Sequence, residues 1–281
     1  MRILVLGDFH GKFPNKIKSI VIKEKVDLVV SIGDHFPFSF RKIWFKHYYE
    51  KGEPLWKFIG KKKYKQLLLK DIKGGDSLLG KLNDLPVPVF VIVGNVDYSK
   101  SYDCFDYKPR GWKWDEQDFF SGIIKKYKNI KRFDYSYLKF KDFVFIGGGG
   151  HSFPGFVKSK SYKKHKKILD DLFNRFRKEN GEQKLVFVMH NVPYKTKLDV
   201  VKDNNAHKLV RNKHVGSKMN RRIIDKYQPI LAFGGHVHES YGMQRIGKTL
   251  CVNIGSITEG KAVILEIDEK KPKKFRVRFI K

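Results

Sequence analysis

A chain of 281 residues with 41% hydrophobic and 31% charged side chains carries enough apolar mass for a sizeable core, and it is too polar to be a bundle of membrane spans. Its 59 Lys and Arg outnumber 29 Asp and Glu, and the net charge of +30 favours anionic partners such as nucleic acid, nucleotides or acidic membrane surfaces. The lysine excess comes with many Ile, Phe and Tyr, as AT-rich coding also produces, so charge by itself selects no partner.

Residues 1–35 read strand, helix, strand. An apolar run, Arg2 to Leu6, closes on Gly7-Asp8-Phe9-His10-Gly11; a helix over 14–25 carries Ile17, Ile20, Val21 and Ile22; a second apolar run over 27–32 closes on Gly33-Asp34-His35. Such a β-α-β opening implies parallel pairing with a right-handed crossover. The carboxyl ends of parallel strands form the rim where ligands bind. Residues 36–75 read as an insertion that mixes aromatics, among them Phe36, Trp44, Trp56 and Phe58, with a lysine run at 61–65. Aromatics interleaved with basic residues suit the stacking of bases and the holding of phosphates, and they equally suit an amphipathic cap packed on the main body.

A short helix is predicted over 77–85 and a third buried strand over 87–93, ended by Gly94-Asn95-Val96-Asp97. Residues 98–135 read as a second, irregular insertion. A hairpin follows, with strands over 135–140 and 143–146 turning at Lys141-Asp142, then four glycines and His151. Next come a basic helix over 162–178, a strand over 184–189 closed by His190, and a helix over 216–227. A short apolar run over 230–233 enters Gly234-Gly235-His236-Val237-His238-Glu239, and the tail is strand-rich over 249–254, 262–267 and 275–280. The whole reads as a single domain, 1–281, with two insertions. Cys104 and Cys251 form neither a disulfide framework nor a zinc spacing, no apolar run nears the roughly 20 residues of a membrane span, and the chain enters a strand with no room for a signal peptide. A cytoplasmic setting is expected.

Five strand ends thus carry Asp8 with His10, Asp34, Asn95, His190, and His236 with His238. Two carboxylates, one amide and four imidazoles, without a thiolate, suit Mn²⁺, Fe or Zn²⁺ better than Ca²⁺. Seven donors are too many for one open ion but serve two ions that share a carboxylate. Two ions about 3.5–4 Å apart clamp a phosphate and activate a water.

In this order the blocks Asp8-Phe9-His10, Gly33-Asp34, Gly94-Asn95-Val96-Asp97, His190 and Gly235-His236-Val237-His238 resemble the five motifs of calcineurin-like metallophosphoesterases. His190-Asn191-Val192-Pro193 and Asn253-Ile254-Gly255-Ser256 look most like the small archaeal-type members. The resemblance implies an α/β fold, a four-layer αββα sandwich of two mixed sheets with a dinuclear site at the strand ends. It assigns Asp8, His10, Asp34 and His238 to one metal, and Asp34 as the bridge, Asn95, His190 and His236 to the other. Mn is the first choice of metal, with Fe, Zn or Ni as the others. Where this chain has Val96 the family commonly has His, which stabilises or protonates the leaving group; some small phosphodiesterase members carry Cys there. Valine donates no proton.

The candidate catalytic residues are Asp34, Asn95, Asp97 and His35, with Asp97 placed to orient a group at position 96 and His35 facing the substrate. His151 and His214 read as loop histidines. The expected activity is hydrolysis of phosphate esters, diesters before monoesters, by a hydroxide shared between the ions. The alternatives are a nuclease that uses the basic surface, and a binding or scaffold protein with a retained metal site.

Overall fold

Strands form here where a short apolar run stops at a glycine, and helices form where the apolar residues recur at three and four. The computed structural model describes residues 1–100, 111–150, 154–204 and 206–280, so His151 and Cys104 lie outside the described residues. In chain order the first elements are β1 (Arg2–Leu6), α1 (Lys16–Lys23), β2 (Leu28–Ser31), α2 (Arg41–Lys51), α3 (Leu55–Ile59), α4 (Lys61–Asn83) and β3 (Val89–Val91). They continue with α5 (Phe119–Ile124), β4 (Ile130–Arg132), β5 (Tyr137–Phe140), β6 (Phe143–Gly147), α6 (Lys160–Arg175), α7 (Arg177–Gly181) and β7 (Leu185–Asn191). The last are α8 (Lys218–Tyr227), β8 (Leu231–Gly235), β9 (Gly242–Ile246), β10 (Thr249–Asn253), β11 (Ala262–Ile267) and β12 (Phe275–Ile280).

The strands form two six-stranded mixed sheets, ordered β12-β11-β1-β2-β3-β4 and β5-β6-β7-β8-β10-β9. Alternation along each strand sends one set of side chains between the sheets and the other outward. Ile3 and Val5 of β1 join Val30, Phe145, Val188 and Phe233 in the central layer. Leu4 and Leu6 face outward and pack on Ile17, Val21, Leu78 and Leu82 of α1 and α4. On the far side Phe187 and Met189 meet Leu169 and Phe173 of α6 and Ile223 of α8. The layers are therefore helix, sheet, sheet, helix, as the motifs implied. No helix among the described residues is long and apolar enough to cross a membrane.

β1, β2 and β3 run parallel, as do β6, β7, β8 and β10, so each sheet brings its strand ends to one rim. The rims meet through glycines. A Cβ on Gly7 would lie 2.4 Å from the Ile32 side chain, and one on Gly235 would lie 2.5 Å from Ile32 and 2.4 Å from Asp8 Oδ2. Hydrogen at Gly7 lets the ends of β1 and β2 close on each other, and hydrogen at Gly235 lets the second sheet's rim reach Asp8 and Ile32 of the first.

Several boundaries differ from those expected. The helix placed at 77–85 is the end of α4, which starts at Lys61, so the expected insertion border at 75 falls inside a helix. Gly74 and Gly75, poor helix formers, lie inside α4 where Pro37 and Phe36 press against them and leave no room for a Cβ (2.7 and 2.0 Å). The stretch 98–135, read as irregular, holds α5 and the edge strand β4, three residues long and too short to show a period. The edge strand β9 is likewise unexpected. The predicted helix at 162–178 ends at Arg175, and α8 starts two residues late because Ser217 caps it, accepting from Asn220 N at 3.2 Å.

Two alanine substitutions should separate close approach from helix propensity. Gly75→Ala should destabilise by about 1–3 kcal/mol by forcing the Phe36 ring aside. Gly122→Ala, in α5 with open space around it, should stabilise by about 0.5–1 kcal/mol. Urea midpoints of the two variants, moving in opposite directions, check the pair.

Candidate metal centre

Asp8, His10, Asp34 and His236 share an uncommon backbone state. Each follows a strand and has positive φ, at 53°, 45°, 56° and 68°. Side chains other than glycine adopt this region at a cost, Asp and His more readily than most. The turns are held by Asp8 N donating to Gly33 O (3.0 Å), His10 N to Asp34 O (2.9 Å), and Ser256 Oγ to Asp8 O (2.8 Å). The left-handed step turns each side chain back over the strand ends instead of letting it follow the loop outward.

Ligand atoms of Asp8, His10 and His238 come within 4.8 Å of one another, and so do those of Asp34, His190 and His236. Asp34 faces both groups: Oδ2 is 3.8 Å from His10 Nε2 and Oδ1 is 3.5 Å from His190 Nε2. Asn95 Oδ1 lies 2.8 Å from His190 Nε2, at the same point. His190 Nδ1 donates to Ile32 O at 2.9 Å, which fixes the ring with Nε2 turned into the site. All seven residues expected as metal ligands are thus brought together in two groups. Asp8 and Asp34 are buried, while His10 and His238 are partly open to solvent.

One atom tests whether this cluster fits cations. Asp8 Oδ1 is buried and has no hydrogen-bond donor; His238 Nε2 stands 3.2 Å away but not in line for a bond. A buried carboxylate oxygen without a donor is costly unless a positive charge faces it. The donors around it are hard oxygens and imidazole nitrogens, the set that divalent first-row ions take. The residues fit.

Charge coupling runs the same way. Burial would raise Asp8, but the adjacent His238 holds its carboxyl well below the usual range. Burial pushes Asp34 up, against the pull of His190 and His10. Burial would lower His190 and His238, yet Asp34 beside the first and Asp8 beside the second raise both.

His35 and Asp97 are not where they were expected. His35 is fully buried: Nδ1 donates to Asp97 Oδ2 (2.8 Å), Nε2 meets Ser31 Oγ (2.7 Å), and the ring packs on Phe9 and Phe120. It cannot face a substrate. Asp97 also accepts from the backbone N–H groups of His35 (2.8 Å), Phe36 (3.1 Å) and Gly94 (2.8 Å), which leaves it no freedom to orient a group at position 96. Burial would raise its carboxyl, but His35 and these donors hold it below the ordinary value. The pair ties the loop after β2 to the loop after β3, behind Asp34 and Asn95. His214 is neither a ligand nor an idle loop residue, since it pairs at 2.6 Å with Asp199, whose buried carboxylate also binds Lys195, Thr196 and Gly216 backbone N–H groups. Sequence reasoning missed Ser31, Asp199 and Glu259, the last 3.6 Å from His238 Nδ1. For Ser31 the one available signal is a hydroxyl ending an otherwise apolar strand.

In metal-free protein His190 and His238 should be proton-bound more readily than in the unfolded chain. A raised histidine stabilises the fold below its ordinary value of 6.5, and the contribution is lost as pH rises through the raised value. A raised Asp34 acts with the same sign. The melting temperature of metal-free protein should therefore fall as pH rises above 6.5, and added Mn²⁺ should reverse the trend. A flat profile in EDTA would contradict the coupling.

The chain matches the calcineurin-like phosphoesterase family over residues 1–240. It is 25% identical over 260 residues to the uncharacterized protein MJ1162 of Methanocaldococcus jannaschii, covering 90% of this chain and 87% of that one. A solved crystal structure superposes with a TM-score of 0.67 at 20% identity, covering 100% of this chain and 99% of the other. The protein TT1561 of Thermus thermophilus gives 0.53 at 13% identity, covering 99% and 97%.

Proposed function

We propose that this chain, which belongs to the calcineurin-like phosphoesterase family, hydrolyses phosphodiesters at a pair of divalent cations, Mn²⁺ first among them. The observation that carries the reading is the position of Asp34, with one oxygen toward His10 and the other toward His190. Asp8, His10, His238 and Asp34 would hold one cation; Asp34, Asn95, His190 and His236 would hold the other. Cations bound there supply an acidified water and neutralise charge on a phosphate.

The chain's own residues do the rest. Asp34 and Asp8, buried and turned inward, would offset half the charge of two divalent cations and leave the site positive for an anionic ester. His10, His236 and His238 stand on the open side, where an ester enters. Val96 N donates to Asp34 Oδ1 at 3.0 Å, which holds the bridging carboxylate at its rotamer but offers the leaving oxygen nothing. His35 is enclosed and Val96 carries no proton, so among the described residues neither of these two positions protonates a leaving group. Diesters with weakly basic leaving groups suit such a site best. Cys251 is buried, and burial pushes its thiol up to about 12, which makes it a packing residue and not a nucleophile.

Turnover of bis(4-nitrophenyl) phosphate with added Mn²⁺ tests the reaction. Asp34→Asn should abolish it and lower bound metal by about one ion or more, because the shared carboxylate neutralises charge between both cations. Full metal occupancy with normal turnover would remove the dinuclear assignment.

A second comparison addresses Val96. The wild type should cleave an aryl diester far better than an alkyl diester, since a proton donor is worth about 10²–10⁴-fold only where the leaving oxygen is strongly basic. Val96→His should narrow that ratio, though by less than a fully oriented acid would, because Asp97 is already engaged by His35. If the aryl-to-alkyl ratio of kcat/KM does not move, position 96 does not reach the leaving oxygen.

A further inference from the structure

The helices between β2 and β3 form a cap rooted at the metal centre. A Cβ on Gly11, the residue after His10, would lie 2.4 Å from Pro37, and α2 begins four residues beyond that proline. Ser39 N donates to Asp71 of α4 at 3.1 Å and fastens the root to the body.

Between α2, α3 and α4 lies an open cleft of about 410 Å³ with Lys42, Lys46, Lys63, His47 and Phe58 along its walls. No carboxylate lines it, and none of the three lysines has an ion pair among the described residues. Phe58 is 61% exposed, an unusual state for a ring that contributes nothing to the core. It stacks on His47 with ring centroids 3.6 Å apart. His47 is only 3% exposed, and its Nδ1 has no hydrogen-bond partner. An aromatic surface backed by a buried, unsatisfied imidazole and ringed by unpaired cations is a poor way to stabilise a helix pair. It is a sound way to receive a flat, anionic ligand.

The same unit repeats the combination. Trp56 meets Trp112 at 5.1 Å, Trp112 stacks on Trp114 at 5.5 Å, and Lys61 and Lys65 lie over these indoles at 4.9 and 5.5 Å. Aromatic surface and lysine therefore alternate across the cap. A membrane would instead require one continuous apolar face. In the cleft Ile43, Phe58 and Ile59 are apolar, but Lys42, Lys46 and Lys63 interrupt them with charge.

We infer that the α2–α4 cap binds single-stranded nucleic acid, a base stacking on Phe58 and phosphates lying on Lys42, Lys46 and Lys63. Stacking on aromatic rings together with lysine contacts to the backbone is how strands are held without regard to sequence. The cap's root beside His10 would lead such a strand toward the metal centre. The inference rests on the phosphodiesterase reading only in making the strand a substrate; binding itself stands apart from it.

The test is fluorescence anisotropy with a labelled 20-nucleotide oligo(dA) in EDTA, where no turnover intervenes. Wild-type protein should bind, with affinity falling steeply as salt rises. Phe58→Ala should weaken binding about tenfold or more, and Phe58→Trp should restore it. Lys42→Gln, Lys46→Gln and Lys63→Gln together should weaken binding and flatten the slope of log K against log salt by about 2, at about 0.7 per phosphate contact. Circular dichroism confirms that each variant is folded. Variants that bind like the wild type would overturn the inference, as would the absence of oligonucleotide binding. So would Phe58→Ala losing affinity for phosphatidylserine vesicles while keeping it for the oligonucleotide. Aryl diester turnover without oligonucleotide binding would remove this inference alone; binding without turnover would remove only the enzymatic reading.

Discussion

A buried carboxylate held between imidazoles from two sheets is the constraint on which the rim depends. Asp34 is 1% exposed, its backbone is left-handed, and a Cβ on Gly94 would come within 2.1 Å of its Oδ1. Such a group is stable only if its surroundings fix it and its charge is met. Asp97 does the first by drawing the β2 and β3 loops together through three backbone N–H groups and His35. The histidines of both sheets do the second, and divalent cations would do it more completely. Much of the rest follows from holding this arrangement: parallel strands that end on one rim, glycines that let the rims touch, and four non-glycine residues kept at positive φ.

What could be read from the sequence was what is local. Each expected metal ligand follows an apolar run within one to five residues, so strand and donor appear together in the text of the chain. The central strands, buried on both faces, read as continuous apolar runs for the same reason. Of the four edge strands β5 and β12 were legible and two were lost: β4 is three residues long, and β9 alternates Met243 and Arg245 outward with nothing to distinguish it from a polar loop. The α4 boundary failed because two glycines mark a turn in a propensity argument, whereas here they mark close packing against Pro37 and Phe36, residues nearly forty positions away.

The direction of a side chain is harder to read than its place in the chain. His35 follows Asp34 directly, and adjacency suggested a shared outlook on the substrate. The opposite holds, because Asp34 at φ 56° turns the chain and sends the next side chain down toward Ser31 and Phe120. A left-handed residue reverses the neighbour relation that an extended chain would show. Nothing in the residue types announces that, since Asp and His both tolerate the conformation without requiring it.

This geometry also accounts for Val96. A histidine at position 96 of this chain would need a partner to set its ring, and the adjacent carboxylate of Asp97 is the one the sequence offers. Here that carboxylate is buried and takes four hydrogen bonds, one of them from His35 Nδ1. An imidazole at 96 would have to compete with His35 for Asp97, and His35 would then be left buried with an unpaired nitrogen, at a cost of about 1–3 kcal/mol. Valine avoids the competition. His35, Asp97 and Val96 are in this sense one choice. His35 and Asp97 together hold the two loops that carry Asp34 and Asn95, and both are engaged in doing so.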